Sequence, residues 1–284
     1  MIELKDIEFS YRKKGAPALT AVTAVIEPGV HLLAGENGAG KTTLLHLIAG
    51  LSKPQKGEVL IDGKSPSSDK PSAMGHTFLL EEGMTLPGKT IRGFAHLHSR
   101  FYPTFSAEAF TANLAAFGLS GDEPMKSLSL GNRKKSQLSY ALALNVDILL
   151  LDEPTNALDI ESKATLRKLI ASNLGEHQTV IVSTHTVSEL ENLFDGGIIL
   201  SRSRLIFAGT EEAVSSRLSF LVRRAPEPDA LYSEIQPGRV LCISKAGDCA
   251  ETRVDWRLFY SALHSPQRPA ITKALIETDQ SQAK

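Results

Sequence analysis

The strongest constraint in this chain is one turn, Gly35-Glu36-Asn37-Gly38-Ala39-Gly40-Lys41-Thr42, which runs straight on into Thr43. It fits the pattern G-x-x-x-x-G-K-[ST] in full. Gly38 and Gly40 let the backbone curl until successive N–H groups point at a common centre, an arrangement that suits phosphate oxygens. The apolar run Val30-His31-Leu32-Leu33-Ala34 leads in as a buried strand, and Lys41 to Leu51 has the composition of a helix ending near Gly50. A strand entering such a loop and a helix leaving it bring the positive helix N-terminus to the same point. Lys41 can then reach the β- and γ-phosphates, and the Thr42 hydroxyl can ligate Mg²⁺. Alone, the loop specifies a nucleotide and leaves kinases, GTPases and ATPases open.

Further along, Leu149-Leu150-Leu151-Asp152-Glu153 ends an apolar run of strand length in two carboxylates. In a doubly wound sheet, ligands bind at the carboxyl ends of strands. Asp152 is then placed to hold Mg²⁺ or its water shell, and Glu153 to polarise an attacking water. Pro154-Thr155-Asn156-Ala157-Leu158-Asp159 follows, and Ser183-Thr184-His185 closes the next apolar run. About 20 residues before Asp152, Leu128-Ser129-Leu130-Gly131-Asn132 begins a helix.

Taken together and in this order, these segments resemble the ABC ATPase family, over residues 1–209. The resemblance implies an α/β fold with a P-loop NTPase core and a parallel sheet. An N-terminal antiparallel β subdomain and an α-helical signature subdomain at about 88–145 accompany it. It implies that Tyr11 stacks on adenine, that Glu153 is the general base or water-orienting group, and that His185 contacts the γ-phosphate and helps hold the base. Gly35, Glu36, Asn37, Gly38, Ala39, Gly40, Lys41, Thr42 and Thr43 would cradle the phosphates of ATP, with Lys41 also serving catalysis. Ser129 and Gly131 would cap the γ-phosphate from the opposite protomer, and Asp159 would link the two sites. ATP, Mg²⁺, a homodimer or heterodimer of ATP-binding subunits and a separate integral membrane subunit are the implied cofactors and partners.

Two departures from the family pattern stand out. Leu130 and Asn132 replace the first Gly and the Gln of the usual Leu-Ser-Gly-Gly-Gln signature. Aligning Thr90-Ile91-Arg92 with the usual helix start places Glu81 at the family's Gln position, with Glu82 close by. Glu81 is thus the expected third metal-facing group beside Thr42 and Asp152. An ionised glutamate accepts hydrogen bonds and donates none. Phe101-Tyr102-Pro103-Thr104-Phe105 resembles a segment of ATPases from exporters of the ABC-2 type. Arg133-Lys134-Lys135 reads as a solvated helix face, and His96 and His98 would diverge on a helix rather than share a metal.

The remaining features bound the alternatives. A formal net charge of -1 argues against reliance on a strongly basic surface while leaving room for a local basic patch, and no nucleic-acid partner is expected. No stretch reaches the roughly 18 apolar residues of a membrane span, and the start of the chain lacks the pattern of a signal peptide. The expected location is therefore cytoplasmic, peripheral to the membrane through a partner. Cys242 and Cys249 are expected to be reduced thiols. Residues 187–194 are expected to be helical and Gly197–Ala208 a closing hairpin. Residues 210–284 carry no motif and are expected to form a small accessory α+β unit with a frayed tail. A soluble ABC ATPase that moves no solute, and a weakly hydrolysing nucleotide switch, are the alternatives to a transport ATPase.

Overall fold

The computed structural model describes residues 1–12, 15–67, 75–85, 87–247 and 252–276. Lys13, Lys14, Cys249 and the polar tail from Thr278 lie outside the described residues; Cys242 is a buried free thiol. Strands β1 (Ile2–Phe9), β2 (Leu19–Ile26) and β4 (Lys56–Ile61) form an antiparallel sheet of order β2-β1-β4. The main sheet has the order β5-β6-β7-β3-β8-β9, built from β3 (Gly29–Ala34), β5 (Thr77–Leu80), β6 (Ile148–Asp152), β7 (Thr179–Thr184), β8 (Gly196–Ser201) and β9 (Arg204–Thr210). All its neighbours run parallel except β8 and β9, which make the closing hairpin. A third antiparallel sheet, β10 (Leu218–Arg223), β12 (Arg239–Lys245) and β11 (Tyr232–Gln236), follows in the C-terminal region.

Side-chain alternation along the main strands sorts the core onto two faces. Leu33, Leu79, Leu150, Ile181 and Ile198 face α1 (Lys41–Ile48) and the N-terminal sheet, where they pack with Ile2, Leu4, Leu44 and Leu45. Leu32, Phe78, Leu151, Val182 and Ile199 face the other way. There they meet the helical subdomain of α2 (Ile91–His98), α3 (Ala107–Ala116) and α4 (Leu130–Ala143), and then α5 (Ile160–Asn173). Strands buried on both faces explain why their sequences are continuous apolar runs rather than alternating ones.

The same apolar cluster continues into the C-terminal region. Leu218, Ile243, Trp256, Phe259 and Ile271 belong to it, through α6 (Glu211–Ser215), α7 (Trp256–Leu263) and α8 (Arg268–Ile276). Trp256 lies so close over β8 that a Cβ on Gly197 would stand 2.4 Å from its ring. The segment 187–194 differs from expectation: only Val187–Leu190 is helical, as a single 3₁₀ turn. Short 3₁₀ turns of this kind are common connectors.

Candidate nucleotide-binding and hydrolytic site

Parallel registry lines up the carboxyl ends of neighbouring strands. Ala34 pairs with Thr184, Asp152 with Ser183 and Leu80 with Leu151. The phosphate-loop segment, the Asp152-Glu153 pair, the Thr184-His185 pair and the turn after β5 therefore emerge at one edge of the sheet. An open cleft there is lined by Tyr11, Ala18, Asn37, Gly38, Gly40, Lys41, Thr42, Thr43, Glu82, Asp152 and Glu153.

The start of α1 lacks the side-chain cap that other helices of the chain have. Thr90, Ser106, Ser129, Asp159, Thr210 and Asp255 each cap a following helix by accepting a backbone N–H on a side-chain oxygen. Helix α1 instead starts at Gly40, with φ 105° and no side-chain cap, so its first N–H groups remain for a ligand. A Cβ at Gly40 would approach the Ala18 carbonyl to 2.5 Å, so no other residue fits without movement. Lys41, 8% exposed, donates from Nζ to the Gly35 carbonyl at 2.9 Å. This folds its ammonium over the cradle.

The metal-facing and water-facing groups are held in place by hydrogen bonds. Thr42 Oγ1 donates to Asp152 Oδ2 at 2.7 Å, and Ser183 Oγ donates to Asp152 Oδ1. Glu153 Oε1 pairs with His185 Nδ1 at 2.8 Å, while its Oε2 is buried with no hydrogen-bond partner. Glu153 also sits at φ 45°, a left-handed backbone that costs energy for a non-glycine residue and aims the side chain off the strand axis. An orphaned carboxylate oxygen at the mouth of a phosphate cradle fits an incoming water, and the facing Thr42–Asp152 oxygens fit a hard cation. Tyr11 is 64% exposed, with its hydroxyl 3.0 Å from Thr43 Oγ1 and its ring edge-on to Phe9. One ring face is thus free at the rim of the cleft.

One assignment needs correction. Glu81, expected at the metal, turns away: its Oε1 lies 2.6 Å from His46 Nε2 on α1. The cleft instead receives Glu82, whose Oε1 accepts from Asn156 Nδ2 at 2.6 Å. Successive residues leaving a strand point to opposite sides, so one step in register exchanges the two acids. The Arg133-Lys134-Lys135 run is not a solvated face either, since Lys134 is only 6% exposed.

Ser129, Gly131 and Asp159 stand apart from the cleft of their own chain. Ser129 caps α4 by accepting from the Asn132 N–H at 3.2 Å, and Leu130 beside it is 69% exposed. Asp159 accepts from the Ser162 N–H at 2.7 Å and pairs with Lys135 at 3.4 Å. Its bonds to the Ser162 hydroxyl and N–H, with Lys135 beside it, hold the carboxyl down at about 2. Glu36 lies outside the cleft lining and anchors the loop from behind, accepting from the Arg202 N–H at 2.8 Å and facing His264 of the C-terminal region at 3.5 Å. Gly35 and Ala39 likewise support the turn from beneath, packed against each other and the end of β8. Sequence reasoning missed Ala18, whose carbonyl closes on the loop only through the pairing of distant strands.

Residues 19–156 match a family model described as ABC transporter. Over 238 residues the chain is 34% identical to the energy-coupling factor transporter ATP-binding protein EcfA2 of Methanospirillum hungatei, covering 79% of this chain and 59% of that protein. Over 271 residues it is 31% identical to the methionine import ATP-binding protein MetN of Caulobacter vibrioides, covering 87% of this chain and 80% of that one. The chain belongs to the ABC transporter family of ATP-binding proteins. As an ABC ATPase it binds ATP and hydrolyses it to ADP and phosphate. Among solved structures, the dimeric bacterial ABC transporter cassette MJ0796 superimposes with a TM-score of 0.64 at 25% identity, covering 74% of this chain and 98% of that cassette. ABC ATPases of this kind dimerise and work with membrane subunits. No helix among the described residues is long and apolar enough to cross a membrane.

Proposed function

We propose that this chain powers a membrane transporter by ATP-driven closure of a dimer, with a separate integral membrane subunit providing the substrate path. The observation that carries the reading is the split between a complete phosphate and acid cleft and an exposed signature. The cleft supplies everything a nucleotide meets from one side. The start of α4 offers Ser129 and Gly131 with a helix N-terminus facing outward, and Asp159 lies beside them. A second ATP-binding subunit placed head to tail would bring those groups over the first cleft.

Thr42 and Asp152 would hold Mg²⁺, which supplies charge neutralisation on the phosphates when bound. Glu153 would take the proton of an oriented water at Oε2, the atom left without a partner. His185 would fix the Glu153 carboxylate through the Oε1 contact and extend toward the terminal phosphate from its half-exposed position. Tyr11 would stack on the base at the cleft rim. The exposed Leu97 and Phe101 of the helical subdomain would seat a helix of the membrane subunit, holding the ATPase at the cytoplasmic face. Residues 1–209 would act as the ATPase proper and 210–284 as an accessory unit.

Export is the direction supported by the Phe101-Tyr102-Pro103-Thr104-Phe105 segment. Import is the second reading, favoured by the match to a methionine import protein over 87% of this chain. Mg²⁺-dependent ATP hydrolysis measured across protein concentrations, beside Glu153→Gln, tests the core of this proposal. Activity should rise more than linearly with concentration and vanish in the variant. Linear activity that survives Glu153→Gln would overturn both the dimer and the assigned base. Capture of an integral membrane protein by the chain, lost in Leu97→Glu/Phe101→Glu, tests the docking surface.

A further inference from the structure

Lys134 is a lysine inside the protein. It is 6% exposed, and among the described residues it makes no hydrogen bond or ion pair. A buried ammonium without direct partners is costly, and it persists only where nearby charge compensates it. The compensation has an identifiable source. Lys134 and Gln137 are one helical turn apart on α4, and Gln137 Nε2 donates to the Met84 carbonyl, so this face of α4 lies against the turn after β5. That turn carries Glu82 into the nucleotide cleft, beside Asp152 and Glu153. Asp152 and Glu153 are 5% and 7% exposed, which makes them carboxylates in need of positive charge. Burial pushes the Lys134 pKa down, and Glu82, then Asp152, then Glu153 pull it back up. Lys41, the lysine of the cleft lining, is bonded instead to the loop carbonyl of Gly35.

We propose that Lys134 is a positioning residue of the ATP site, a fixed internal counter-charge to Glu82, Asp152 and Glu153 that favours nucleotide over free divalent cation in that acid cluster. Glu82 brings an acid to the edge of a cleft built for a polyanion, where it opposes the arriving phosphates. Lys134, approaching from α4 of the same chain, offsets it. A fixed cation beside carboxylates attracts phosphate and repels Mg²⁺, so its removal must move the two affinities in opposite directions. A purely structural role has no reason to separate them. The helix that begins with Ser129 thereby contributes charge to the cleft of its own chain through Lys134, while its N-terminus faces outward.

The proposal rests on the cleft being the ATP site, and the experiment keeps the two apart. ATP binding is measured in excess EDTA, and half-saturating Mg²⁺ is measured separately in the hydrolysis assay. The proteins are the parent chain, Lys134→Met, Lys134→Arg, and Lys134→Met combined with Glu82→Gln. Lys134→Met should bind ATP in EDTA about tenfold more weakly, the scale of one partly screened charge contact, and should need severalfold less Mg²⁺. Lys134→Arg should retain both parent values. Removing Glu82 in the Met background should recover most of the lost ATP affinity. A folded Lys134→Met that binds ATP in EDTA as the parent does would overturn the proposal. So would an equal loss of ATP and Mg²⁺ affinity that Glu82→Gln fails to relieve. A parent chain that bound no ATP would instead overturn the reading of the cleft, and the proposal with it.

Discussion

The phosphate loop and the start of α4 are both helix N-termini with glycine at the turn, and they are finished in opposite ways. At α1 the helix starts on a glycine with a left-handed backbone, and its first N–H groups have no side-chain cap. The surrounding groups are held by partners of the same chain: Lys41 by the Gly35 carbonyl, Thr42 by Asp152, and Glu153 by His185. At α4 the helix is capped by its own Ser129, and the adjacent Leu130 is exposed. One end is built to be completed by a small polyanion. The other is already capped within its own chain, and in the proposed function it serves a second subunit. Under that proposal a single chain contains two unlike halves of a site.

The contrast is broken most severely at the loop. Glu153→Gln and Lys41→Ala should each lower turnover by about 10²–10³-fold, the range for removing one aligned charged or hydrogen-bonding group from a transition state. Lys41→Ala should also weaken ATP binding, whereas Glu153→Gln should leave it intact; binding and turnover assays run in parallel separate them. Next comes Ser129→Arg. It should cut hydrolysis by an order of magnitude or more, on the scale of removing one charge-aligned donor, while an isolated subunit binds ATP as before. Weakened binding in the isolated subunit would mean that the two ends are not independent. Gly197→Ala tests the seam between β8 and the C-terminal region. Its methyl would run into the Trp256 ring, and overpacking of this kind costs about 1–3 kcal/mol, read as a lower Tm.

The smallest expected effect lies at the foot of the complete half. His31 on β3 is buried against Gly196, with Nε2 2.8 Å from the Glu27 carbonyl. Burial pushes its pKa below the ordinary 6.5. The unfolded chain therefore binds the proton more readily than the folded one. This contribution to stability is present above pH 6.5 and is lost as pH falls from there toward the lower folded pKa. The Tm should decline over that acid range, and the decline should be shallower in His31→Gln. An unchanged slope would show that other groups control acid sensitivity.

The division between what was legible and what was not follows the range of the interactions. The phosphate loop, the Asp152-Glu153 strand end and Ser183-Thr184-His185 could be read because each function needs particular residues at fixed local spacing. Strands β3, β6 and β7 could be read from their apolar runs, whereas the four-residue β5 is too short to announce itself. Glu81 and Glu82 could not be separated, because a single step of register past β5 decides which acid enters the cleft. Lys134 could not be distinguished from Arg133 and Lys135, because the phase of α4 is set by packing against the β5 turn. The segment after Leu190 has a helical composition, yet the chain must leave early to enter β8. The C-terminal region has no local code at all: its attachment depends on a glycine in β8 that leaves room for an indole from nearly sixty positions later.

That attachment has a practical side. Trp256 is the only tryptophan in the chain, and its ring rests on Gly197 in the strand next to β3, which ends in the phosphate loop. The tryptophan emission of the protein, excited selectively over its five tyrosines, therefore comes from one place, the seam where the C-terminal segment lies on the ATPase sheet. No dye or label is needed to watch it. A shift of that emission to the red reports water entering the seam, so a fluorimeter can follow whether the C-terminal segment stays seated while nucleotide comes and goes.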